Sequence, residues 1–148
     1  MKDGKKYILV ADDDREIREI LTLLLSAEGY AVLTAADGLQ AAQFAAGEID
    51  LYILDVNMPN MNGIQLLKEM KKEGIVAKVI MSSTDTTHGA KVTLDALELG
   101  AIDFMHKPER SYLCKKEEFH DEFLKKLQVV CDSKAVVVEA KAPEQIKE

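Results

Sequence analysis

The chain has 148 residues, 26 acidic against 19 basic, for a net charge of −7, which suits one domain and argues against a nucleic-acid surface of its own. Its 47% hydrophobic content is ordinary for a globular protein, no apolar run approaches the ~20 residues of a membrane span, and Met1 to Lys6 is too polar for a signal peptide. Cys114 and Cys131 lie far apart without the spacing of a zinc site or a disulfide framework, so a soluble, cytoplasmic protein is expected.

Tyr7-Ile-Leu-Val-Ala11 reads as a first strand and runs straight into Asp12-Asp13-Asp14. Ile17, Ile20, Leu21, Leu24 and Leu25 then recur at helical spacing, with Arg15, Glu16, Arg18 and Glu19 facing out. Asp14 suits the N-cap of that helix and Gly29 its stop. Tyr30–Thr34 reads as the second strand, and Leu39–Ala46, after Asp37-Gly38, as a short alanine-rich helix closed by Gly47. Ile49–Asp55 is almost unbroken apolar sequence, the pattern of a strand buried on both faces. It ends in a carboxylate and then in turn chemistry: Asn57, Pro59, Asn60, Asn62, Gly63. A helix over Ile64–Lys72 stops at Gly74, and Val76–Ser82 makes the fourth strand. A fourth helix starts at Thr87 or His88, runs to Leu99 and ends at Gly100; Ala101–Met105 is the fifth strand, leading to Lys107-Pro108. The last helix runs from Lys115 to about Val130, with Phe119, Phe123, Leu124 and Leu127 on one side. Residues 1–131 therefore read as the domain, and 132–148, where the pattern fades, as a flexible tail or the start of a linker.

Strands alternating with helices at this spacing predict an α/β fold: a flavodoxin-like, five-stranded parallel sheet of order 2-1-3-4-5 with helices on both faces. In that order the ends of strands one and three are neighbours, so Asp12, Asp13 and Asp55 converge. Crowded carboxylates raise one another's pKa unless a cation holds them. A small set of hard oxygen ligands suits Mg2+, which keeps some waters and shares its shell with phosphate. Asn57 is placed to add a main-chain carbonyl. Ser82 and Ser83 at the end of strand four, and Lys107 at the end of strand five, bring a hydroxyl and an ammonium. Together these groups make a site for a phosphoryl group carried on a carboxylate.

The acidic pair after Tyr7–Ala11, the segment Leu54-Asp-Val-Asn-Met-Pro-Asn-Met-Asn-Gly63, Val79-Ile-Met-Ser-Ser83 and Gly100-Ala-Ile-Asp-Phe-Met-His-Lys-Pro108 resemble the receiver domains of two-component response regulators. The resemblance covers roughly residues 5–130. It implies that Asp55 is the phosphoacceptor, that Asp12, Asp13, Asp55 and the main chain of Asn57 hold Mg2+, and that Lys107 pairs with the phosphoryl oxygens. It implies Ser83 as the switch hydroxyl, with Ser82 one residue away as the alternative, and Phe104 as the switch aromatic. Phe104 stands where tyrosine is frequent, so the ring carries no hydroxyl. Thr84 stands where a small alanine is common and is expected to narrow the path of hydrolytic water. The Lys107–Pro108 peptide is expected to be cis. Val92 to Phe104 is similar to the receiver half of chemotaxis methylesterases; the esterase activity itself is not carried over.

What the resemblance implies about function is a phosphorelay switch that catalyses only its own phosphorylation and slow dephosphorylation. A sensor histidine kinase or a histidine phosphotransfer protein would donate the group from phosphohistidine. The fourth helix, fifth strand and last helix would then form the face where an output protein or a second receiver docks. Neither nucleic acid nor membrane is an expected partner of this domain. A phosphotransferase of the haloacid-dehalogenase type needs a second acid two residues after its aspartate, where Asn57 stands. A phosphate-independent interaction module is disfavoured by the presence together of Asp12, Asp13, Asp55, Ser83 and Lys107. His88, His106 and His120 have no ligand-like spacing and are expected at the surface.

Overall fold

The computed structural model describes residues 6–44, 49–75, 77–83, 98, 100–101, 103–107 and 116–132. Five strands, β1 (Tyr7–Ala11), β2 (Ala31–Ala35), β3 (Leu51–Asp55), β4 (Lys78–Ser83) and β5 (Asp103–His106), form one sheet of order β2-β1-β3-β4-β5. Every pairing is parallel. The helices described are α1 (Arg15–Ala27), α2 (Gly38–Ala42), α3 (Gly63–Lys72) and a C-terminal helix over Glu117–Asp132. The expected order and fold class are thus observed. Thr84, nearly all of the expected fourth helix, the Lys107–Pro108 peptide, His88, Cys114 and residues 133–148 lie outside the described residues.

Local chemistry explains where the helices begin and end. The Asp14 carboxylate accepts from Glu16 N at 2.9 Å and Ile17 N at 3.4 Å, satisfying donors that have no partner inside α1. At the other end Gly29 takes φ +96°, and the Gly29 and Tyr30 N–H groups donate back to Ser26 O and Leu25 O. Asn62 and Gln65 cap α3 reciprocally, each side chain accepting from the other's backbone N–H.

Side-chain alternation sends the strands into two cores. Leu9, Tyr52, Leu54, Val79 and Met81 pack with Leu66, Leu67 and Met70 of α3. Ile8, Val10, Leu51, Ile53, Ile80 and Met105 pack with Ile17, Leu21 and Leu25 of α1 and with Phe123, Leu127 and Val130 of the C-terminal helix. β3, central in the sheet, is buried at every residue. That double burial is why its sequence is nearly continuously apolar.

Several boundaries differ from the sequence reading. β2 begins at Ala31 and ends at Ala35, one residue later than expected. β4 is Lys78–Ser83 and β5 is Asp103–His106, because pairing with β3 and β4 selects those residues. The alanine-rich helix is only Gly38–Ala42 in the described chain. Gln43 and Phe44 bond back to Gln40 and Ala41 in tighter turns, and Phe44 turns toward the α3 core. His106 is exposed as expected, but His120 is half-buried, its Nε2 enclosed with no hydrogen-bond partner among the described residues.

Candidate functional site

Parallel strands put all their carboxyl ends on one edge, the edge where open α/β sheets gather ligands. β1 delivers the chain into Asp12 and β3 ends on Asp55; Ala11 and Leu54 are register partners, so the two acids stand side by side. Both continue the alternation of Val10 and Ile53 and face the side of α1 and the C-terminal helix. From the far side of β4, β5 leads to Lys107. Its Nζ lies 2.8 Å from Asp12 Oδ2 and 3.1 Å from Asp55 Oδ2. Asp12 and Asp55 are 2% exposed and Lys107 6%. Asp13 is exposed, yet one of its carboxylate oxygens lies within 4.8 Å of ligand atoms of both Asp12 and Asp55.

Burial, and then the charge of Asp12, push the Asp55 carboxyl up to about 7, against the pull of Lys107 and of the Asn57 N–H, which donates to Asp55 Oδ1 at 3.2 Å. Burial pulls the Lys107 ammonium down, but the charges and hydrogen bonds of Asp12 and Asp55 outweigh it and hold the group above its ordinary value. Among the described residues three carboxylates gather where one ammonium pairs with two of them, so the cluster is short of positive charge. Its hard oxygen donors and that charge imbalance fit a divalent cation such as Mg2+.

Backbone contacts hold the acids in place. Asp12 Oδ1 accepts from Asp14 N at 2.9 Å, and the Asp12 carbonyl accepts from the Arg18 guanidinium at 2.8 Å. Arg18 therefore does not simply face solvent, as helical spacing alone suggested. Val56 N donates to Ser82 O at 2.8 Å, and Lys107 N to Ser83 O at 2.9 Å, so the ladder continues past the strand ends into the site. Gly63 brings α3 against the Asp55 main chain; a Cβ there would stand 2.4 Å from the Asp55 carbonyl oxygen. In the sequence Gly63 reads as a turn residue that closes the Leu54–Gly63 segment, with no role of its own in the site, and no motif marks Arg18.

The two serines are both 2% exposed and face opposite sides of the sheet. Ser82 is in register with Asp55 and shares its side; Ser83 ends β4 and shares the side of Met81. Phe104 is in register with Met81 and packs, half-buried, against the same core as Met81. Ser83 and Phe104 thus stand on one side of adjacent strands, and Ser82 stands on the other.

The family model for the response regulator receiver domain matches residues 8–117. A protein-glutamate methylesterase/protein-glutamine glutaminase of Treponema denticola is 38% identical over 109 residues, covering 70% of this chain and 29% of that protein. The chain spans less than half the length of the curated relatives it matches. Among solved structures, the response regulator domain of Thermotoga maritima CheB is 33% identical with a TM-score of 0.76, covering 87% of this chain and 98% of that one. The Thermotoga maritima response regulator TrrA, solved in complex with Mg(2+)-BeF, is 32% identical with a TM-score of 0.68, covering 84% and 98%.

Proposed function

Because the chain belongs to the response regulator receiver domain family, the phosphoacceptors of two-component signalling, we propose that Asp55 takes a phosphoryl group from a phosphohistidine donor and so switches a protein-interaction face. The observation that carries this reading is the Lys107 ammonium held between Asp12 and Asp55 at the carboxyl edge of the sheet. A carboxylate oxygen of Asp55 attacks phosphorus in line, the P–N bond breaks, and the electron pair returns to the imidazole of the donor. Asp12, Asp13, Asp55 and the main chain of Asn57 would hold Mg2+, a reading supported by the TrrA complex. When bound, the ion supplies positive charge for the oxygens of the transferring group. Positive charge beside Asp55 also favours its ionised, nucleophilic form. Lys107 keeps Asp12 and passes its second hydrogen bond from Asp55 to a phosphoryl oxygen. Thr84 is assigned to the path of the water that later hydrolyses the acyl phosphate.

Ser83 is the switch hydroxyl in this reading because it shares a side with Phe104, and Ser82, in register with Asp55 and on its side of the sheet, is the alternative. The responding face includes β5 and the C-terminal helix, where Phe104, His106, Phe119, Lys126 and Val129 line a groove of about 630 Å³. An output protein or a second receiver docks there, and a sensor histidine kinase or histidine phosphotransfer protein is the donor. No catalysis beyond phosphorylation and dephosphorylation of the chain itself is assigned, and the methylesterase activity named for the relative stays with that protein. Residues 1–131 are taken as the receiver and 132–148 as a tail or linker. No described helix is long and apolar enough to cross a membrane; the cytoplasm is the proposed location.

Intact-protein mass after incubation with acetyl phosphate, with and without Mg2+, tests the reading. A Mg2+-dependent gain of one phosphoryl group is expected, and no gain under either condition would overturn it. Asp13→Ala should raise the Mg2+ concentration needed for half-maximal labelling more than Asp12→Ala does. Asp13 is open to solvent, whereas both Asp12 oxygens are already engaged by Asp14 N and Lys107; equal shifts would remove that division of roles. Ser83→Ala should accept phosphate yet lose the phosphate-dependent change in β5 amide chemical shifts, while Ser82→Ala keeps it. The reverse pattern would move the switch to Ser82.

A further inference from the structure

The loop that carries Asn57 is fastened at its far end to a turn that belongs to a different part of the fold. Asn60 has φ +67°, alone among the described non-glycine residues in being positive. A residue in that region persists where its surroundings hold it there. Its Nδ2 donates to Asp37 Oδ2 at 2.7 Å, across 23 residues of sequence. The other oxygen, Asp37 Oδ1, accepts from Gln40 N at 2.8 Å and caps α2. Next to this pair Gly38 N donates to Met61 O at 2.9 Å, and a Cβ on Gly38 would lie 2.2 Å from that oxygen. A side-chain bond and a main-chain bond, in adjacent positions, thus join the turn before α2 to the loop after β3. Asp37 is 9% exposed, and the hydrogen bonds from Gln40 and Asn60 hold its carboxyl below the usual carboxylate range. It therefore meets Asn60 as a charged acceptor, the stronger kind.

We propose that Asp37 and Asn60 form a latch that presents the Asn57 main-chain carbonyl to the divalent cation, making Asp37 a positioning residue for phosphorylation. The proposal rests on the reading of Asn57 as a main-chain ligand. Asp37 stands outside the acidic cluster itself. The loop from Val56 to Asn62 is anchored at one end by Val56 N on Ser82 O and by Asn57 N on Asp55, and at the other by the latch. With the latch open, the segment between these anchors gains conformations in which the carbonyl is not aimed at the ion, and binding must then order it.

A merely structural role for Asp37 is the cap of α2, and the variants separate the two roles. Asp37→Ser keeps a capping oxygen but is too short to reach Asn60. Asn60→Gly keeps the backbone conformation and removes the amide. Asn60→Asp sets two carboxylates against each other. The double variant Asp37→Asn with Asn60→Asp restores the pair with donor and acceptor exchanged, and asparagine still caps α2. The readouts are the Mg2+ dissociation constant by calorimetry and the rate of labelling by acetyl phosphate at subsaturating Mg2+. Each single variant should weaken Mg2+ binding roughly tenfold, the order expected for one hydrogen bond to a charged group, and should slow labelling in parallel. The exchange variant should return to within about twofold of wild type. Unchanged Mg2+ affinity in Asp37→Ser and Asn60→Gly, or no recovery in the exchange variant, would overturn the latch. Wild-type protein that binds no Mg2+ would remove the underlying reading along with it, so the two failures are told apart.

Discussion

Asp55→Asn is expected to gain no phosphoryl group from acetyl phosphate, and in chelator it should be the more stable of the two proteins above pH 7. The first result follows from chemistry, because a carboxamide has no anionic oxygen with which to attack phosphorus. The second follows from burial. In the native protein the Asp55 carboxyl is raised from 3.8 to about 7 by desolvation and by Asp12. Between about pH 4 and 7 the folded state therefore holds a proton that the unfolded chain has released. Stability falls as pH rises through that window, at up to about 1.4 kcal/mol per pH unit, and levels off above it. Asparagine removes the titration and the repulsion while Lys107 keeps Asp12. Denaturant midpoints at pH 5 and pH 8 should diverge for wild type and nearly coincide for the variant. Parallel pH profiles would show that Asp55 does not carry the effect, and labelling of the variant would place the acceptor elsewhere.

Gly63→Ala should destabilise the fold by about 1–3 kcal/mol and slow labelling at the same time. The added Cβ meets the Asp55 carbonyl oxygen at 2.4 Å, the Asp55 carbonyl carbon at 3.0 Å and Met81 Cε at 2.8 Å. The methionine end can swing away, but the Asp55 backbone lies in a strand buried along its whole length, so either α3 retreats or Asp55 shifts. Gly29→Ala is the contrast: nothing lies within 4 Å of its Cβ, and only the left-handed backbone is strained. It should lose stability and keep the wild-type labelling rate. Unimpaired labelling in Gly63→Ala at saturating Mg2+ would show that the acceptor tolerates movement of the helix behind it.

The sheet was legible because its strands are short apolar runs that end in polar residues, Asp12 and Asp55, Ser82 and Ser83, or Lys107 among them, and because five alternating units fit order 2-1-3-4-5. The convergence of Asp12, Asp55 and Lys107 was legible for the same reason: parallel strands turn three separate positions into one edge. The supports of that edge were not. Arg18 is an ordinary charged residue at helical spacing, and its contact with the Asp12 carbonyl depends on how tightly α1 folds back on β1. Asp37, Gly38 and Asn60 are common turn residues, and nothing local says that two turns so far apart in sequence touch. The helix after Asp37 read too long because alanines favour helix intrinsically, while Phe44 is drawn toward the α3 core. Ser82 and Ser83 could be separated by side only when the register with Asp55 and His106 was known.

The contact between Lys107 and Asp12 spans 95 residues, tying the strand nearest the start of the sheet's sequence to the last one. In chain order Asp12, Asp13 and Asp55 all precede the lysine that pairs with two of them. Only when β5 lies against β4 does Lys107 reach the edge and offset the charge that the register of β1 and β3 has brought together. A chain that stops short of β5 therefore has the acids of the edge without the ammonium that stands between Asp12 and Asp55 in the whole sheet.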